Sequence, residues 1–310
     1  MVRSVKAFLN SEEGVSRGAE PGAEQHKDQV ESPKHARRRM SEYRSEAGND
    51  NPDDLLDFRQ KIKDRDPPLE RIETAQLRQL PDFIVIGTQR GGTTSLYRYL
   101  AAHPDIGPAL RKEVHFFDRY YEKGMNWYLA NFPVRGEASM VGEASPYYLF
   151  HPDVPQRARR AVPHAKFIVL LRNPVDRAYS HYQMKVRRGV ESLSFEDAID
   201  KEPQRLSRSD DPASLTWRYF SYLKRGVYVD QLKRWMSVFP REQFLIIKSE
   251  DFYKDPERVL HQTLKYLGLR PWIPSNLKAY HLSEYSDMNS ATRKRLQEYF
   301  TPYNQQLYAL

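Results

Sequence analysis

The sequence predicts an α/β fold, a P-loop-like parallel sheet flanked by helices. Three observations carry that prediction. Short apolar runs at Phe83–Ile86, Phe167–Leu171 and Phe244–Lys248 are rich in Ile, Val, Leu and Phe and read as buried strands. Helical segments separate them, and strands alternating with helices build a parallel sheet. The first run ends in Gly87-Thr88-Gln89-Arg90-Gly91-Gly92-Thr93-Thr94, a Gly-rich loop that leads into a helical pattern with Leu96, Tyr97 and Leu100 on one face. Strand, Gly-rich loop and helix start together cradle an anion, because loop N–H groups and the positive end of the helix converge on it.

Taken in order, residues 1–80 form a polar leader, disordered or loosely helical, and 81–310 form the compact domain. Within the leader, Lys34–Arg39 is a basic cluster, either a solvated charge run or a contact for a membrane surface or polyanion. Short helices are expected at Leu55–Ile62 and between Leu69 and Leu80, separated by Pro67-Pro68. After the first loop and helix, His103-Pro104-Asp105 stops the helix. Arg111–Asp118 reads as a short strand or extended segment, and Val141 closes another short strand. Pro152–Val162 reads as a helix, and Pro174 suits the first turn of the helix after the second strand. Residues 190–217 are expected to loop around a short helix at Phe195–Ile199. A long helix from Arg218 to Phe239 carries Leu223, Val227, Leu232 and Trp235 inward. Pro256–Leu267 is a helix capped by Gly268. Asn276–Asp287 is irregular, and Ala291–Leu310 is a closing helix broken near Pro302. No internal repeat is present.

Composition narrows the function. The chain of 310 residues has room for one large domain or two small ones, and its net charge of +8 points to an anionic ligand, polymer or surface. The absence of cysteine excludes disulfides, thiolate zinc sites and a cysteine nucleophile. No run approaches the ~20 apolar residues of a membrane-spanning helix, and the first residues hold too short an apolar stretch for a secretory signal. The expectation is a cytoplasmic protein. No zinc-finger or RNA-binding signature is present, so nucleic acid is not the expected partner.

The loop spacing G-x-x-x-x-G-T-T departs from the G-x-x-x-x-G-K-[ST] of nucleotide triphosphatases. Thr93 stands where the lysine would be, and Arg90 places the cation inside the turn. That suits an anion with less charge at the transferring group than a γ-phosphate, although an ordinary strand-to-helix turn fits the same residues. Arg172 ends the second strand, where ligands of open α/β sheets bind, and Ser180 lies about two turns down the next helix. A guanidinium and a hydroxyl clamp a phosphate monoester; alternatively Arg172 only caps the sheet. Glu113 and His115, two residues apart, share a face of an extended segment. They are a base and its partner, or Glu113 is paired with Lys112 or Arg111. Lys185, Arg187, Arg188, Arg218 and Tyr219 could bind an acidic saccharide or form a solvated face.

The ordered segments TQRGGTTSL, KEVHFFD, GEASPYY and LLRNPVDRAYSHY resemble the sulfotransferases that use 3′-phosphoadenosine-5′-phosphosulfate (PAPS). The resemblance is to the branch of the heparan sulfate 3-O-sulfotransferases and the sulfotransferase domain of the N-deacetylase/N-sulfotransferases, with their bacterial relatives. It runs from about Pro81 to the C-terminus. It implies the sulfotransferase fold and in-line sulfuryl transfer without a metal to a hydroxyl or amine of an acceptor. A glycan is the favoured acceptor, with a lipid or small-molecule hydroxyl as the alternative. Residue by residue, it implies that Arg90, Gly91, Gly92, Thr93, Thr94 and Ser95 hold the 5′-phosphosulfate and that Arg172 and Ser180 hold the 3′-phosphate. Glu113 matches the base, with His115 orienting it or touching the acceptor. The chain departs from the 3-O-sulfotransferases at Ala144, where they carry an active-site lysine, at Thr94, where they carry arginine, and in having no C-terminal disulfide. Two other classes are the alternatives: an ATP-dependent kinase, disfavoured by Thr93, and a non-catalytic polyanion-binding module.

Overall fold

The computed structural model describes residues 66–275, 277 and 285–310. The Lys34–Arg39 cluster, the helix expected at Leu55–Ile62 and most of Asn276–Asp287 lie outside the described residues.

The chain first forms α1 (Leu69–Glu73) and a 3₁₀ turn at Ala75–Leu77, the short helices expected there. They are tied to the domain by Arg71, whose guanidinium donates to the carbonyls of Ala130 and Phe132 at 2.7 Å each. Then come β1 (Phe83–Gly87), α2 (Thr93–Ala101), β2 (Ile106–Pro108), α3 (Phe116–Arg119), α4 (Gly124–Leu129) and β3 (Met140–Ala144). The chain continues through α5 (Val154–Ala161), β4 (Lys166–Leu171), α6 (Pro174–Arg187), α7 (Phe195–Asp200), α8 (Glu202–Leu206), α9 (Leu215–Phe220) and α10 (Tyr228–Met236). It closes with β5 (Phe244–Lys248), α11 (Ser249–Lys254), α12 (Pro256–Leu267) and α13 (Ser290–Tyr308).

The five strands pair in parallel in the order β2-β3-β1-β4-β5. β1, β3 and β4 are covered on both faces, which is why β1 and β4 read as unbroken apolar runs rather than alternating ones. One face packs Leu96, Leu100, Leu260 and Leu264 against Val85, Ile168 and Leu170; the other packs Trp235, Phe239 and Tyr128 against Ile84, Phe167 and Val169. After β1 the chain builds one side of the sheet, then crosses to β4 on the other. The β1/β4 junction is therefore the switch point, where ligands of open α/β sheets bind.

Four local expectations differ from the structure. Arg111–Asp118 is not a strand: residues 111–115 are irregular and α3 follows. Phe116 and Phe117 are adjacent and both buried, one stacked on Tyr128 at 4.4 Å, the other edge-on to Tyr148 at 5.4 Å. A strand would send them to opposite faces. β2 at Ile106–Pro108 was not foreseen, and β3 runs to Ala144, past the expected end at Val141. The helix expected over Arg218–Phe239 is broken into α9, a 3₁₀ turn at Lys224–Gly226, and α10. Its middle N–H groups, those of Leu223 and Lys224, donate instead to the buried carboxylate of Glu202 at 2.6 and 2.8 Å. α13 continues through Pro302, because Leu296, Phe300, Asn304 and Leu307 anchor one face of it in the core.

Candidate active site

β1 delivers the chain to the switch point, and two backbone features shape the loop there. Gly92 has φ +91°, a left-handed conformation that glycine adopts without a Cβ penalty, and it begins α2. A Cβ on Gly91 would lie 2.9 Å from the Leu170 carbonyl oxygen and 3.0 Å from that of Thr88, so the loop folds flat against β4 only with glycine there. The Thr88 N–H donates to Leu170 O at 2.8 Å, and Ser249 donates to Gly91 O at 2.8 Å, so both edges of the loop are pinned. No side chain caps α2, whose first residues Thr93, Thr94 and Ser95 follow the loop directly. Its leading N–H groups lack the i−4 carbonyls that would satisfy them within the helix.

Two arginines converge beside this loop. Arg90, at φ +73°, donates from Nε to Ser180 Oγ at 2.9 Å, and Arg172 donates from Nη1 to the Arg90 carbonyl at 3.2 Å. Ser180 is buried on α6, which starts at the cap formed by the Asn173 side chain. Tyr285 is hydrogen-bonded to both Ser180 and Arg172. Burial raises its pKa, but the Ser180 and Arg172 contacts outweigh that and hold the phenol below its ordinary value. Burial, and next the Arg172 charge, push the Arg90 guanidinium down to about 10. Two cations held together and partly desolvated are stabilised by an anion between them. The arrangement thus fits the anion seat expected of Arg172 and Ser180. It turns the Arg90 side chain toward that seat as well.

A second group stands on the loop before α3. Nε2 of His115 lies 2.9 Å from Glu113 Oε2, and Nδ1 lies 3.0 Å from Asp118 Oδ2. A neutral imidazole has one N–H and could serve only one of these carboxylates. Burial lowers the His115 pKa, but Asp118 more than offsets this and the net shift is upward, which favours the imidazolium. Asp118 is fully buried; burial raises its pKa, but His115 and Arg218 hold it down at about 2. Arg218 Nη1 donates to Asp118 Oδ2 at 2.6 Å. Glu113 is one-third exposed and also receives Lys112 Nζ at 3.2 Å. Burial raises its pKa, and the His115 hydrogen bond and Lys112 overcome that to hold it well below the usual carboxylate range. Both readings of Glu113 from the sequence therefore describe real contacts: His115 on one oxygen, Lys112 on the other.

Sequence reasoning did not find Asp118, although it sits one turn after His115 in the same motif. It also missed Arg225, which joins the two groups. The fully buried Arg225 donates to Gln89 in the anion loop and, at 2.8 Å, to Ser221. Its guanidinium shares the ring of Tyr147 with that of Arg218, at 4.8 and 4.6 Å from the centroid. Arg218 and Lys185, suggested as contacts for an acidic saccharide, are otherwise engaged: Arg218 on Asp118, Lys185 buried over the Tyr219 ring at 3.7 Å. Arg187 and Arg188 are exposed. Among the described residues, no group of His, Asp and Glu side chains is arranged to hold a metal ion.

A parallel sheet that offers a pinned Gly-rich loop and paired arginines at its switch point belongs to the α/β proteins that bind and transfer anionic groups. Comparison with known proteins sharpens this. The sulfotransferase domain family matches residues 80–301. The crystal structure of a sulfotransferase from Alicyclobacillus acidocaldarius is 36% identical, with a TM-score of 0.63, over 74% of this chain and 95% of that one. The chain belongs to the sulfotransferase domain family, has the sulfotransferase fold, and is a sulfotransferase. The human bifunctional heparan sulfate N-deacetylase/N-sulfotransferase 3 is 36% identical over 204 residues, 62% of this chain and 23% of that protein. The chain thus spans about a quarter of that relative's length. The membrane-associated sulfotransferase kil1 of Dictyostelium discoideum is 26% identical over 83% of this chain and 71% of its own.

That last relative corrects one expectation. The cytoplasmic location inferred from the lack of a signal or spanning segment does not stand, since a relative of this chain is membrane-associated. Among the described residues no helix is long and apolar enough to cross a membrane, but a protein can associate with a membrane without one.

Proposed function

We propose that this sulfotransferase moves the sulfuryl group of PAPS to a hydroxyl or amine of a glycan, with Glu113 as the base. The observation that carries the reading is the chain of contacts at the β1/β4 switch point, Arg172 on the Arg90 carbonyl and Arg90 on Ser180, which gathers two cations and a hydroxyl suited to a phosphate dianion. In this reading Arg172 and Ser180 hold the 3′-phosphate. The Gly91 N–H is turned onto the Thr88 carbonyl at 3.0 Å, so Gly91 serves by letting the loop lie flat, and the N–H of Gly92 and the start of α2, Thr93 to Ser95, hold the 5′-phosphosulfate. Arg90 lies between the two and balances the charge that grows on the bridging oxygen as the S–O bond breaks. Donors of that kind are worth ~10²–10³ in rate.

Glu113 takes the proton that the acceptor loses as it attacks sulfur. His115 sets the carboxylate's orientation from Nε2 and is itself anchored at Nδ1 by Asp118. Lys112 and the imidazolium keep Glu113 ionised but make it a weak base in the free protein. An acidic group of the acceptor drawing Lys112 away would strengthen it. The glycan rests on the heparan sulfate acceptor named for the human relative and on the cationic surroundings of Glu113. The sulfuryl group carries less charge than a phosphoryl group, so the arginines and loop N–H groups suffice without a metal.

The test is transfer from sulfur-labelled PAPS to an unsulfated heparan-type polysaccharide, compared between the native protein and Glu113→Gln. The variant is expected to lose ~10²–10⁴ in turnover while binding 3′-phosphoadenosine-5′-phosphate as tightly as before. Undiminished transfer by Glu113→Gln would overturn the base assignment, and label transfer to no glycan would overturn the acceptor class.

A further inference from the structure

Glu143 is an acidic residue in the middle of a buried parallel strand, fully excluded from solvent and paired in register with Ile84. Burying a carboxylate is costly unless hydrogen bonds compensate. Three hydroxyls surround it. Tyr128 donates to Oε1 at 2.6 Å, Tyr148 donates to the same oxygen at 3.4 Å, and Ser145 donates to Oε2 at 2.9 Å. Two of these hydroxyls have a second task. Ser145 Oγ accepts the main-chain N–H of His115 at 3.1 Å, and Tyr148 Oη accepts that of Phe117 at 3.3 Å. Both N–H groups sit at the start of α3, where no helical carbonyl can satisfy them.

His115 needs this support more than its neighbours do. It stands at φ 57°, ψ 29°, left-handed and sterically disfavoured for a residue with a Cβ. That conformation turns the imidazole so that one nitrogen meets Glu113 and the other Asp118. We propose that Glu143 is a positioning residue for the transfer step: through Ser145 and Tyr148 it fixes the backbone of residues 115–117, and so the imidazole on which Glu113 rests. The inference builds on the assignment of Glu113 as base. Glu143 touches neither donor nor acceptor. Its carboxylate orients the two hydroxyls so that their lone pairs face the main chain. Besides the three hydroxyls, the titratable groups around it are Tyr97, His115 and Asp118.

Two variants test the link. Glu143→Gln keeps the shape but sets an amide NH₂ against one of the hydroxyl donors. Ser145→Ala cuts the link and leaves Glu143 in place. Ser145→Thr retains the hydroxyl and is the control. The first two are expected to lose ~10–10² in kcat, the scale of a misplacement of about 1 Å. The KM for PAPS and the affinity for 3′-phosphoadenosine-5′-phosphate should stay within about twofold. Ser145→Thr should keep kcat within about threefold. Nitrogen-15 NMR of His115, assigned with His115→Asn, reads the coupling without turnover: its signals should move toward neutral imidazole in Ser145→Ala and hold in Ser145→Thr. Unchanged His115 signals in Ser145→Ala, or a Thr variant as impaired as the Ala variant, would overturn the proposal. A Glu113→Gln protein that stays active would overturn the base assignment alone, because the NMR comparison does not depend on it.

Discussion

Arg172→Ala tests the proposed 3′-phosphate seat apart from the rest of the proposed donor site. In the structure Arg172 Nη1 reaches back to the carbonyl of Arg90, and Arg90 Nε reaches on to Ser180, so the three residues form one connected cluster. A hydrogen bond to a charged group is worth about 1.5–3 kcal/mol. At about 1.4 kcal/mol per tenfold, removing Arg172 should weaken 3′-phosphoadenosine-5′-phosphate by ~10–150-fold. Adenosine 5′-phosphate lacks the 3′ group and should lose less than about threefold on the same scale. Ser180→Ala removes a neutral donor, worth about 0.5–1.5 kcal/mol, or ~2–10-fold. The two changes should combine non-additively, since Arg172 and Ser180 are linked through Arg90, which bonds Ser180 and receives Arg172 on its carbonyl. Calorimetric titration of both nucleotides into the native protein and the three variants measures this. Equal losses for the two nucleotides in Arg172→Ala would refute the assignment, because the arginine would then act on the loop as a whole. Tighter binding of ADP with magnesium than of 3′-phosphoadenosine-5′-phosphate would refute the choice of donor itself.

Two further predictions rest on geometry and burial. Gly91→Ala places a methyl 2.9 Å from the Leu170 carbonyl, a backbone atom that cannot swing away, so the loop must lift from β4. The variant should lose ~10-fold or more in nucleotide affinity by calorimetry with its fold intact by circular dichroism, and native affinity would show that the loop does not seat the donor. Glu143 is pushed by burial from 4.5 up to about 7. Its folded pKa exceeds its unfolded one, so its contribution is fully present below about pH 4.5 and is lost as pH rises through 7, a swing of about 3 kcal/mol. Urea unfolding should therefore show a decline in stability between pH 5 and 8 that is smaller by about that amount in Glu143→Gln. Parallel curves for the two proteins would mean that burial does not raise the Glu143 pKa above its unfolded value.

The strands were readable because their environment is uniform. β1 and the body of β4 are buried by covering helices and so are apolar without interruption, β5 at the sheet edge is partly exposed but keeps the apolar run Phe244–Ile247, and the bounds of all three fall within a residue of those expected. α12 and its Gly268 cap were readable because Pro256 starts and a left-handed glycine stops the helix locally. β2, only three residues long, carries too little pattern to read, and the division of Arg218–Phe239 hung on Glu202, a residue beyond its boundary. The Gly-rich loop was readable from its spacing, and the places of Arg172 and Ser180, one after a strand and one along a helix, from the elements around them.

The sequence by itself determined the class of fold, the loop that faces the switch point and the motifs that mark a sulfotransferase, because each depends on residues that are neighbours along the chain or spaced at a fixed period. Only the tertiary structure decided how those residues are partnered. The contact of His115 with Asp118 and Glu113 depends on a left-handed turn, held by a serine 30 residues away that is itself held by a buried strand carboxylate. Arg218 reaches Asp118 across 100 residues. Hydrogen bonds act over about 3 Å in space with no regard to separation in sequence, and a buried charge takes whatever partner the packing brings within that distance.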